Sequence, residues 1–143
     1  MVRSSYRFLP NVALADVAFK VGASSPSALF EVCAGALTDV MVDRRSLRGG
    51  VKKEISMKAE SLDGLLYDFL TELIVMKDVD SLLFKRFEVT VARDGKSLVC
   101  EASGEPIDRE RHRLRNDVKA VTMHMFGVTH ERGRWLATVV LDI

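Results

Sequence analysis

The sequence predicts an α+β fold, a two-layer sandwich in which two helices cover a mixed or antiparallel sheet, with the elements in the order β-α-β-α-β-β-β-β. Three features carry this expectation. Two segments repeat apolar residues at helical spacing, the second is followed by four strand-like runs, and 143 residues is the usual size of one domain with one core. A doubly wound parallel fold would keep alternating strands and helices to its end. No linker, repeat or low-complexity segment divides residues 1–143.

The opening "RFLPNVALADVAFKV" is rich in β-formers but broken at Pro10 and Asn11, which predicts a first strand interrupted by a turn and resumed from about Ala15 to Val21. Val17, Phe19 and Val21 then share one face, and Asp16, Ala18 and Lys20 the other. "SSPSALFEVCAGALTDVM" opens a helix with a serine N-cap and Pro26 in the first turn, and its apolar side is Leu29, Phe30, Cys33, Ala34, Leu37 and Val40. "RSLRGG" ends that pattern. "VKKEISMKAE" reads as a half-exposed strand with Val51, Ile55, Met57 and Ala59 inward.

"SLDGLLYDFLTELIVMKD" is the strongest helical segment. Ser61 caps it, Asp63 suits the positive first turn, and Leu62, Leu65, Leu66, Phe69, Leu70, Leu73 and Ile74 form a broad apolar stripe. "FKRFEVTVARDGKSLVCEASG" predicts a hairpin turning at Asp94-Gly95, where both residues tolerate positive φ. After an irregular charged stretch from Glu105 to Asn116, "DVKAVTMHMFGVTHE" and "RWLATVVLDI" are two more strands with a turn near Arg132-Gly133. The last strand is apolar on both faces, which suits a place in mid-sheet.

The 21 basic and 20 acidic residues nearly cancel, so bulk charge draws no polyanion to this chain. No apolar run approaches the roughly 20 residues of a membrane helix, and "MVRSSYRFLP" lacks a signal-peptide core, so a soluble, intracellular protein is expected. Of the two cysteines, Cys33 reads as a small buried hydrophobe. GxGxxG, a phosphate loop, GxSxG and HExxH are all missing, which leaves an ordinary hydrolase or nucleotide enzyme unsupported. His112, His124 and His130 are irregularly spaced, and each reads as a buried or partly buried histidine with a hydrogen-bond partner.

Two charged constellations remain. In "DRERHRLRND" a strand would turn Arg109, Arg111, Arg113 and Arg115 to one side, able to bind phosphate or an acidic partner. The competing reading, a solvated loop offset by Asp108, Glu110 and Asp117, is the commoner fate of such a run. At the other constellation, Asp142 stands beside the terminal carboxylate of Ile143, and Asp16 would join them if the first and last strands were neighbours. Oxygen-only ligands suit a hard cation such as Ca²⁺, Mg²⁺ or Mn²⁺ and do not suit zinc. Periodicity alone favours separate strand-end charges.

"YRFLPNVALADVAF", "LFEVCAGALTDVM", "SLDGLLYDFLTELI", "NDVKAVTMHMFGV" and "VVLDI" together resemble the archease family over essentially the whole chain. Val118, Lys119, Ala120, Val121, Thr122 and His124 match the family motif Glu-Val-Lys-Ala-Val-Thr-Tyr-His, with Met123 in place of tyrosine. Ala15, Asp16 and Val17 match the end of its Asp-His-Thr-Ala-Asp-Val motif, and Asp142-Ile143 its closing pair. "PNVAL" stands where Asp-His-Thr is usual, which makes Asn11 the candidate oxygen donor in place of the missing aspartate.

The resemblance implies a small cytoplasmic protein, not itself an enzyme, that activates the 3′-phosphate RNA-splicing ligase of tRNA splicing. It would promote formation of the ligase's covalent guanylate and permit repeated turnover. It also implies a divalent cation, Ca²⁺ first and Mg²⁺ or Mn²⁺ as alternatives, held by Asp16, Asp142 and the carboxylate of Ile143. The ligase is the expected partner, tRNA is touched indirectly if at all, and no membrane is involved. Lys119, Arg111 and Arg113 are the candidate partner contacts. The alternatives are a chaperone-like binding module for a tRNA-modifying enzyme and a metal-dependent hydrolase. The lack of a positioned base near Asp16 or Asp142 argues against the hydrolase.

Overall fold

The computed structural model describes residues 5–9 and 16–143. Its elements are β1 (Ser5–Leu9), β2 (Asp16–Ala23), α1 (Pro26–Met41), β3 (Val51–Lys58), α2 (Leu62–Asp80), β4 (Leu82–Val91), β5 (Ser97–Pro106), β6 (Ala120–Glu131) and β7 (Arg134–Asp142), with one 3₁₀ turn at Arg44–Ser46. The α+β class holds, every strand pair is antiparallel, and the strands divide into two sheets, β1-β2-β7-β6 and β3-β5-β4. The interrupted first strand is two strands that pair with each other, Phe8 opposite Phe19. The expected break at Pro10 and Asn11 and the resumption at Ala15 lie outside the described residues.

Local chemistry accounts for the helices. The Ser25 Oγ accepts the Ala28 N–H at 3.1 Å ahead of Pro26, and the Ser61 Oγ accepts the Gly64 N–H at 3.1 Å. Ser81, in the left-handed region at φ 54°, stops α2. The predicted stripes are the faces that are buried, with Leu62 half-covered, and the Phe30 and Phe69 rings stack at 5.9 Å where the helices meet. Gly95 has φ 74°, and Arg132 and Gly133 have φ 51° and 75°, as the two hairpin turns require.

Each helix bridges both sheets. α1 packs on β2 and β7 of one sheet and on β4 of the other, while α2 lies on β6 and β4. Side chains on the helices also satisfy polar groups of β4 and β6, which are sheet edges. Glu31 accepts the Val89 N–H at 2.9 Å, Ser27 Oγ accepts the Val91 N–H at 2.9 Å, Asp63 accepts the Val128 N–H at 3.1 Å, and the Tyr67 hydroxyl donates to the Val121 carbonyl at 3.1 Å. These bonds satisfy part of each exposed edge from within the chain. Among the described residues no helix is long and apolar enough to cross a membrane.

Both cysteines are free and buried. Burial pushes the Cys33 thiol far above its usual range, and burial together with Glu31 pushes Cys100 up to about 12, so neither supplies a thiolate near neutral pH.

β4 slips its register against β5 between Phe84 and Arg86, opposite Gly104. A Cβ at Gly104 would meet the Leu83 carbonyl oxygen at 1.9 Å and the Phe84 Cα at 2.6 Å, both backbone atoms that cannot step aside. Gly104→Ala is therefore expected to lower stability by about 2 kcal/mol or more, read by denaturant unfolding.

Candidate functional site

The register of β2 on β7 builds the site. Val17 faces Leu141, Phe19 faces Val139 and Val21 faces Ala137, and these pairs form the side turned to the helices. A one-residue slip would turn Phe19, Val139 and Leu141 outward, at about 1.5–3 kcal/mol for each large side chain. With the register held by the core, the last rung of the ladder sets Asp16 directly opposite Asp142. Residues so paired project to the same side of a sheet with Cβ atoms about 5 Å apart.

On the other flank of Asp142 lies Ala120 of β6, and the preceding Lys119 N–H donates to the Asp142 carbonyl at 2.8 Å. Ile143 packs its side chain against the core, which holds this residue beside the rung. Asp16, Asp142, Lys119 and Ile143 are therefore neighbours. The site is half-buried at the aspartates and exposed at Lys119.

Two like charges directly across a ladder repel. Among the described residues no Lys, Arg or His side chain forms an ion pair with Asp16 or Asp142, and no group of three His, Cys, Asp or Glu side chains forms a metal site. The side-chain donors at hand are the two carboxylates of Asp16 and Asp142. That set fits a hard cation by charge and donor type, and not zinc. Asn11, the other candidate donor, lies outside the described residues.

Lys119 is placed by a clasp that the sequence reading missed. Lys77, only 8% exposed, donates to the Val118 carbonyl at 2.8 Å, to Asp117 Oδ1 at 2.5 Å, and pairs with Asp78 at 2.8 Å. Burial alone would lower the Lys77 pKa, but the hydrogen bonds to Asp117 and Asp78 outweigh it and raise it. The signal was present: Lys77 continues the stripe of Leu70, Leu73 and Ile74 at helical spacing, and a lysine there has to be buried with acids.

The arginine run is a loop, and its arginines do not share a strand face. Arg111 pairs with Glu105 at 2.6 Å and donates to the Ser46 carbonyl, the Arg113 N–H donates to Ser46 Oγ, and Arg115 Nη1 donates to the Asp39 carbonyl at 2.8 Å. Arg111 and Arg113 are thus tied to β5 and the 3₁₀ turn rather than to the carboxylate rung. Inside this loop His112 is buried. Its Nδ1 accepts the Asp108 N–H at 2.9 Å, so Nε2 carries the proton donated to Glu105. His124 and His130 depart from the expected burial. Both are exposed, and His130 stacks on Trp135 at 3.9 Å. His124 rides a bulge in β6, where the register jumps between Thr122 and Gly127 and Met125 takes φ 57°.

The sequence profile of the Archease protein family matches residues 6–143. The chain is 36% identical over 132 residues to a protein archease of Pyrococcus abyssi, covering 90% of this chain and 93% of that one. It is 37% identical over 131 residues to one of Methanopyrus kandleri, covering 90% and 94%. The solution structure of Methanobacterium thermoautotrophicum protein 1598 superposes with a TM-score of 0.81 at 31% identity, over 96% of this chain and 98% of that one. The crystal structure of a Thermotoga maritima protein, described as an archease and possible chaperone, shares the fold with a TM-score of 0.64 at 19% identity, over 94% and 96%.

The loop carries a pH dependence of defined sign. Burial would raise the Glu105 pKa, but hydrogen bonds from Arg111, His112 and the Arg48 N–H prevail and hold it at about 2, below the ordinary 4.5. Its contribution to stability is full above pH 4.5 and is lost as the pH falls to about 2. Glu105→Gln should therefore destabilise the protein at pH 7, with the gap from wild type closing as the pH falls through that window, measured by denaturant unfolding at several pH values.

Proposed function

The chain belongs to the archease family, and from that premise we propose that it activates an RNA-splicing ligase, promoting ligase guanylylation and repeated turnover through a divalent-cation site at the end of the chain. The observation that carries this reading is the rung that sets Asp16 opposite Asp142, with Lys119 bonded across it and Ile143 beside it. Asp16, Asp142 and the carboxylate of Ile143 would hold the ion, Ca²⁺ first and Mg²⁺ or Mn²⁺ as alternatives. The bound ion would supply positive charge at the surface where a nucleotidyl group is transferred. The protein's own share is positional. Strands β2 and β7 hold the two carboxylates, Lys77 fixes Asp117 and Val118, and Lys119 follows as an exposed cation next to the rung. No residue of this chain is assigned a covalent step, and the chain is not itself the enzyme on this reading.

A second reading, a chaperone-like module for a tRNA-modifying enzyme, is favoured by one observation. The β6 bulge leaves Met123 69% and Met125 55% exposed, and adaptable methionines suit contact with varied apolar surfaces.

GTP-dependent guanylylation of the cognate ligase separates the two. The wild type should stimulate it, and Asp142→Ala, folded by circular dichroism, should lose at least about tenfold of that stimulation. Unchanged guanylylation with wild type, together with suppressed aggregation of a client enzyme, would favour the chaperone reading instead.

A further inference from the structure

Beside the 3₁₀ turn, on a different surface from the carboxylate rung, lies a concave groove of about 620 Å³. Phe8, Arg44, Arg45, Lys85, Arg86 and Arg115 line it, with Asp39 and Asp43 as its acids. Both acids are engaged: Arg44 pairs with Asp39 at 2.7 Å and Arg45 with Asp43 at 3.0 Å. Among the described residues none of the other three cations forms an ion pair with an acid. Lys85 donates to the Leu47 carbonyl at 3.1 Å, Arg115 donates to the Asp39 carbonyl at 2.8 Å and its charge also acts on Asp43, and Arg86 is exposed. A chain that is almost neutral overall therefore lines one hollow with five cations against two acids.

The aromatic residue decides what such a hollow fits. Phe8 is 47% exposed in the groove wall, braced edge-to-face against Phe19 at 6.3 Å. Apart from Phe8 the lining is charged, so the groove lacks the apolar centre that anchors a protein partner. Cations tracking a backbone next to an exposed aromatic ring are the two components of a site for unpaired nucleotides, phosphates on the guanidinium groups and a base on the ring. A duplex buries its base faces and has nothing to offer Phe8. A second hollow of about 400 Å³ shares Lys85 and Arg86, but Glu88 and Glu101 also line it and Glu101 pairs with Lys52 at 3.6 Å, so the cationic track ends at the first hollow.

We propose that this groove binds single-stranded nucleic acid, with phosphates on Lys85, Arg86 and Arg115 and one base stacked on Phe8. The proposal does not rest on the ligase reading, since the groove and the rung share no residue.

The test is fluorescence anisotropy with a labelled single-stranded 12-nucleotide RNA and no ligase present, repeated with the matching DNA strand, the duplex RNA and a polyglutamate of the same length as competitors. Three phosphate contacts predict a slope of about −2 for log K against log salt. Arg86→Ala, a change at an exposed side chain, should make that slope shallower by about 0.7. Phe8→Leu should weaken binding at least about fivefold with the slope unchanged. Competition by single strands but not by polyglutamate or duplex is the expected result. No binding, binding indifferent to both substitutions, or equal competition by polyglutamate would overturn the proposal, the last in favour of an acidic protein partner. Guanylylation measured without RNA is unaffected by either outcome, so this proposal and the ligase reading can fail separately.

Discussion

The antiparallel register of β2 on β7 is the constraint on which the candidate site depends, because it forces two carboxylates to face each other at the end of a ladder. The register is not negotiable locally. It is dictated by Phe19, Val21, Val139 and Leu141, whose burial lies on the opposite side of the same sheet from Asp16 and Asp142. A repulsion that the core imposes has to be compensated from outside the core. A cation bound at this rung would answer the electrostatic problem and tie the opening of β2 to the end of the chain.

The surroundings keep that rung from yielding. α1 and α2 each bridge both sheets, and Glu31, Ser27, Asp63 and Tyr67 close the polar groups on the edges of β4 and β6. Lys77 adds a buried charge that is useful only because Asp117, Asp78 and the Val118 carbonyl meet it together. The consequence runs outward along the chain. With Asp117 and Val118 fixed, Lys119 can bond the Asp142 carbonyl and β6 can begin where the rung ends.

What was legible in the sequence was local. Ser25 with Pro26, Ser61 with its apolar stripe, Asp94-Gly95 and Arg132-Gly133 each specify their element through neighbours a few residues away, and the structure has the helices and turns there. The division into two sheets was not legible, because it rests on contacts such as Glu31 with Val89 that join distant segments. Nor was the β6 bulge, since no glycine or asparagine marks the positive φ at Met125. The exposure of His124 follows from that bulge. The site itself was named through the closing Asp-Ile and the Ala-Asp-Val motif. Alternation alone could put Asp16 on a face but could not say which strand would lie beside it.

The most direct measurement is calorimetric titration of Ca²⁺ into the chain as it stands and into the same chain with two residues appended after Ile143, with melting curves to show that both are folded. The account predicts one ion per chain, with affinity reduced at least about tenfold by the extension, which turns the terminal carboxylate into an amide. Absence of binding, or binding that the extension leaves unchanged, would contradict it and return Asp16 and Asp142 to the status of two solvated charges at the end of a ladder.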